Sequence, residues 1–176
     1  VVKNTFSGRD KRQQIVEMKR LAAVYQAISK RTDIRKSSVT ECRGNSAAVL
    51  REMATTWHRE AQKTQNEETY GLAQYLYKAY LDNFPGENDA YIMSFYYAEL
   101  LFKLEKWKEA AEAYTKVVKM NPKGASLKEA AYAAVISWKN ALNVQEEAKD
   151  TKVSKGADRF KPRPIPDNEQ KMIAAF

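Results

Sequence analysis

One cysteine, Cys42, and one histidine, His58, are all the chain has of either residue, and that scarcity removes whole classes of chemistry. A lone thiol closes no internal disulfide, and the two residues together make no His/Cys cluster for a metal. As a nucleophile and its base they lack a third, orienting residue and an oxyanion motif, so no catalytic residue is expected. Glycine and proline are also few, six and five in 176 residues, and no glycine-rich phosphate loop or dinucleotide fingerprint occurs among them. The adjacent carboxylates Glu67–Glu68 and Glu146–Glu147 sit at helix ends, where they favour the N-terminal dipole or face water rather than converging as an acid/base pair. Neither metal nor cofactor is expected. No apolar run approaches the roughly 20 residues that span a bilayer. The start, VVKNTFSGRD, has no initiator Met and no signal-peptide core, and the end, QKMIAAF, stops inside an apolar helical pattern. A fragment of a longer protein is therefore expected.

Abundant Ala, Glu, Lys, Leu and Tyr point to an all-α chain, of a length suited to one core or a short solenoid. The net charge of +8 is unevenly spread: residues 1–64 carry a net +8, 65–122 a net −3 and 123–176 a net +3. A basic end is compatible with nucleic acid or anionic lipid, and here it would act through Lys11, Arg12, Lys19, Arg20, Lys30 and Arg31, with Arg35 and Lys36 beyond. These residues are not interleaved with exposed aromatics and carry no recognition motif, so a solvated basic surface is the simpler expectation.

The strongest pattern is an internal duplication. WKEAAEAYTKVVKMNP, 107–122, repeats YGLAQYLYKAYLDNFP, 70–85, at a distance of 37 residues. An aromatic (Tyr70, Trp107) leads to an alanine (Ala73, Ala110), a tyrosine (Tyr77, Tyr114) and a proline (Pro85, Pro122) at the same intervals. Ala110, Ala113, Tyr114, Val117, Val118 and Met120 form one apolar stripe at helical spacing, opposite Lys108, Glu109, Glu112, Lys116 and Lys119. Upstream, Ala98, Leu101, Phe102 and Leu104 mark a partner helix, and a turn as short as Glu105–Lys106 makes the two antiparallel.

Further helices are expected over about 9–32, 46–64, 69–83 and 126–142, the last with Ala130, Ala131, Ala133 and Ala134 as its close-packing face, and one more begins at Pro166–Asp167. DIRKSSVTECRGN, 33–45, reads as a connection closed by Gly44–Asn45. EEAKDTKVSKGADRFKPRPIP, 146–166, reads as a long charged loop or disordered insertion. The organisation expected is thus a basic helix and connection over 1–45, repeats over 46–142, and an insertion with the start of a return helix over 143–176.

A small-residue helix followed by A-x3-Y and a proline, recurring near 34 residues, resembles the tetratricopeptide repeat. Trp57, Ala61, Tyr70, Ala73, Tyr77 and Pro85 occupy signature places in the first copy, and Ala98, Trp107, Ala110, Tyr114 and Pro122 in the second. Glu60, Ser94 and Leu101 depart from it, and the longer GENDA turn, 86–90, is similar to turns in bacterial cell-envelope proteins of this family: the outer-membrane assembly lipoprotein, the Tol–Pal-associated protein and envelope motility subunits. The resemblance covers roughly 46–142 and implies a right-handed α-solenoid of stacked antiparallel hairpins, working as a non-catalytic protein-binding scaffold in a periplasmic or envelope complex, although a cytoplasmic setting stays open.

Such a stack lines its concave groove with the first helix of each hairpin. The resemblance places Thr55, His58, Gln62 and Gln65 there in the first hairpin, Ile92, Phe95, Glu99, Phe102 and Lys103 in the second, and Lys128, Ala131, Val135, Trp138 and Lys139 in the third. The last two rows, apolar with lysine rims, suit a peptide or amphipathic helix of a partner protein. Two alternatives stay open: Phe95, Phe102 and Trp138 are packed inside, or RFKPRPIP, 159–166, occupies the groove itself. The carboxylate clamp of chaperone-binding relatives is not implied, since His58, Gln62, Tyr96, Lys128 and Tyr132 hold its places and only Lys128 conforms.

Overall fold

The helical periodicities materialise as α1 (Lys11–Ser29), α2 (Lys36–Thr64), α3 (Glu67–Asn83), α4 (Ala90–Lys103), α5 (Trp107–Met120), α6 (Leu127–Asp150) and α7 (Asp167–Ala175). The computed structural model describes residues 10–150, 165 and 167–175, and among these there is no strand. The expected all-α class is what is found. Backbone packing divides the chain into two units, Val1–Met93 and Ser94–Phe176, so the first turn of α4 belongs to one and its remainder to the other.

In the first unit, α1, α2 and α3 pack on one another. Asp10 caps α1 by accepting from the Arg12 amide, and Asn66 caps α3 by accepting from the Thr69 amide at 2.8 Å. Gln65, between α2 and α3, adopts a left-handed φ of 54° and donates its amide to the Ala61 carbonyl, which ends α2 and reverses the chain. Alanines meet in the interior: Ala54, Ala61 and Ala73 are fully buried, beside Leu50, Leu76, Tyr77 and Tyr80. Each fully buried leucine there contributes about 1.5–3 kcal/mol relative to exposure.

Two sequence expectations fail on helix ends. The stretch 33–45 is not a connection closed by Gly44–Asn45, because α2 begins at Lys36 and runs through both residues. Gly44 costs the helix about 1 kcal/mol relative to alanine, but Ser46, Ala47 and Leu50 are buried just beyond it. The extra turns also have work to do: Arg43 pairs with Glu87 at 2.7 Å and Arg51 pairs with Asp89, so α2 grips the long turn after α3. The second failure is at the end of α6, which continues to Asp150 and takes in 146–150, expected as loop. The rest of that insertion, 151–164 with most of RFKPRPIP, lies outside the described residues.

In the second unit, α5 packs on α6 and α6 on α7. The α4–α5 turn falls where expected, at Glu105–Lys106: Glu105 takes a left-handed φ of 56°, its amide bonds the Phe102 carbonyl, and the Lys106 amide bonds the Leu101 carbonyl, both at 3.0 Å. That pair of bonds is a Schellman cap made without glycine. Ala98, Ala110, Ala111, Val117 and Ala130 are fully buried, with Tyr114 and Ala134 nearly so. The helix expected from Pro166–Asp167 is α7.

Candidate functional site

At about 100° per residue, Lys128, Tyr132, Val135 and Lys139 fall on one line along α6, and Trp138 lies about 90° away from it. The structure follows that geometry. Lys128 and Lys139 are exposed, Val135 is half-buried, and Tyr132 is 72% exposed, whereas Trp138 is 2% exposed. Trp138 is therefore corrected from groove wall to interior residue. Its ring is capped by the Lys171 ammonium of α7, 5.8 Å from the ring centroid.

The same rotation explains α4. Phe95 and Phe102 stand on the flank turned to α5: Phe95 meets the Tyr114 ring edge-on with centroids 6.1 Å apart, and Phe102 meets Trp107 at 5.1 Å and Tyr114 at 6.4 Å. Both remain half-buried, so the aromatic pair serves chiefly to clamp the hairpin. Outside them, Tyr96, Glu99 and Lys103 are exposed, and Glu99 accepts the Tyr114 hydroxyl hydrogen at 2.5 Å. Ile92, in the first unit, is half-buried.

Tyr96 and Tyr132, named in the sequence at clamp places but not in the groove rows, are surface aromatics of α4 and α6. They are 36 residues apart, the separation that also relates Phe102 to Trp138 and Lys103 to Lys139. Tyr96 shares α4 with one exposed lysine, Lys103, and Tyr132 shares α6 with exposed Lys128 and Lys139. The signal was present as that second period, but it was masked because aromatic residues at the neighbouring positions fit the groove equally well by composition.

The first-row candidates behave differently. His58 is buried, with Nδ1 3.2 Å from the Tyr77 hydroxyl and its ring edge-on to Tyr77 and Tyr70. Burial pushes its pKa below the ordinary 6.5, so it is neutral at pH 7. It is a core histidine rather than a groove residue. Cys42 stands on the same helix, 16 residues earlier, about 24 Å along its axis, with its Sγ 4.0 Å from Ser46 Oγ. The two cannot meet as a nucleophile and base. Among the described residues no group of three or more His, Cys, Asp or Glu side chains could hold a metal.

The basic candidates of α1 and of the two residues after it are partly spoken for. Lys11 bonds Glu60 at 2.5 Å and Thr69 at 3.1 Å, Arg12 bonds Glu68 at 3.1 Å, and Arg31 pairs with Asp33. Lys19 lies over the Tyr75 ring at 5.0 Å, while Arg20 and Lys30 are exposed. No helix among the described residues is long and apolar enough to cross a membrane. No family model matches the chain, nor does any curated protein or solved structure.

Proposed function

We propose that the protein is a non-catalytic scaffold that binds a peptide or helix of a partner protein through the exposed faces of α4 and α6, and that its hairpins stack in the manner of tetratricopeptide repeats. The observation that carries this is the recurrence of an exposed tyrosine, Tyr96 on α4 and Tyr132 on α6, at equivalent places with exposed Lys103, Lys128 and Lys139 on the same helices. Tyrosine offers a large apolar contact with a polar tip at small conformational cost, and it is enriched where interfaces concentrate their energy. Lysines around it orient an acidic or amphipathic partner. The buried alanines and the paired Tyr77 and Tyr114 support the repeat architecture, and the long turn after α3 supports an envelope complex by resemblance alone.

The test is recovery of partners from the native host with the wild-type chain and with Tyr96→Ala/Tyr132→Ala. Loss of one specific partner from a folded double variant supports the scaffold. Retention of every partner contradicts it. Binding of DNA or anionic vesicles at low salt, abolished by charge reversal at Arg20 and Lys30, would instead favour a basic module.

A further inference from the structure

The second unit has an open cavity of about 540 Å³ lined by α5, α6 and α7. Its apolar wall is Trp138 from α6, Met120 from the end of α5 and Ala174 from α7, and its mouth carries Lys116 and Lys119 of α5 and Lys171 of α7. The volume lies within the range of roughly 300–1,000 Å³ typical of small-ligand sites, which also favour clefts between helices. Met120, placed by sequence on the buried stripe of α5, is 40% exposed here. An apolar side chain left wet beside a buried indole is a surface that gains from being covered.

The charges at the mouth define what would cover it. Among the described lining residues Glu112 is the single carboxylate, against three ammonium groups. Lys171 is partnered by Asp167 at 2.8 Å, but Lys116 and Lys119 have no ion-pair partner among the described residues. A neutral apolar molecule would fill the wall and leave the lysines unanswered. A small inorganic anion would answer the lysines and leave the wall wet.

We propose that this cavity binds a small amphiphilic monoanion, a free carboxylic acid with an aliphatic or aromatic body, its carboxylate held by Lys116 and Lys119 and its body against Trp138 and Met120. The site lies apart from the Tyr96 and Tyr132 faces and does not depend on the partner-binding proposal.

The probe is sodium octanoate, titrated calorimetrically into the full chain, with octan-1-ol and acetate for comparison. Octanoate is expected to saturate one site, to bind at least about tenfold tighter than either octanol or acetate, and to shift the Trp138 indole N–H resonance. Lys116→Gln/Lys119→Gln, at exposed positions that leave the fold intact, should weaken octanoate about tenfold while leaving octanol unchanged. Ala174→Phe should fill the cavity and abolish binding, and should it fail to fold, the lysine variant carries the test alone. Equal binding of octanoate and octanol, no saturation, or no response to the lysine changes would each overturn the proposal.

Discussion

Tyr77 and Tyr114 occupy the same place in the duplicated pattern, yet each unit ties its tyrosine down by different chemistry. In the first unit the hydroxyl meets the buried, neutral His58 at 3.2 Å. In the second it donates to the exposed carboxylate of Glu99 at 2.5 Å. The buried ring is the part the two copies share, since both tyrosines are 1% exposed, and the polar tether differs, His58 in one and Glu99 in the other. The two tethers also respond to opposite ends of the pH scale. Burial lowers the pKa of His58, whereas burial, then the hydrogen bond to Glu99 and its charge, raise that of Tyr114 well above the ordinary 10.0.

Removing the rings should have the largest effect. Tyr77→Ala and Tyr114→Ala should each cost about 3–5 kcal/mol in chemical denaturation, because each empties a large, fully packed site. Equal losses would show that the ring does the same job in both units. Removing only the hydroxyl should separate them. Tyr77→Phe leaves the buried His58 Nδ1 without its partner and should cost about 1–3 kcal/mol, whereas Tyr114→Phe returns Glu99 to water and should cost about 1 kcal/mol or less.

Acid and alkali sharpen the contrast further. Because the pKa of His58 is lower folded than unfolded, the unfolded chain binds the extra proton. The stability contributed by neutral His58 is therefore complete above pH 6.5 and declines as pH falls below it. Because the pKa of Tyr114 is higher folded, the unfolded chain releases its proton first, and stability is lost as pH rises above 10.0. Denaturation midpoints measured across pH should show both slopes, with His58→Gln flattening the acid limb alone and Tyr114→Phe the alkaline limb alone. The smallest effect belongs to the turn between α4 and α5. Glu105→Gly relieves a left-handed backbone that a side chain disfavours and should stabilise by about 0.5–1 kcal/mol, read as a higher denaturation midpoint.

The parts of the fold that were legible in the sequence were those written by local spacing. Ala73, Ala110, Tyr77 and Tyr114 are buried as their intervals required, and α5 begins and ends at Trp107 and Met120, between the expected turn and proline. What was not legible depended on tertiary compensation or on rotation within a helix. Gly44–Asn45 has the local signature of a break, yet α2 runs through it, with Leu50 buried just beyond and Arg43 paired with Glu87. Trp138 matched the groove position in sequence, but a turn of about 90° about the axis of α6 puts it inside and leaves Tyr132 outside. For His58, a single polar residue on a helix does not announce whether a hydroxyl waits for it nineteen residues later.

The most direct test of the scaffold is a photo-crosslinking amino acid placed at Tyr96, at Tyr132 and, as a control, at Lys30 in the native host. If the exposed tyrosines meet a partner, adducts to the same protein form from 96 and from 132 and not from 30. Absence of any adduct at the two tyrosines, with one formed at 30, would contradict it.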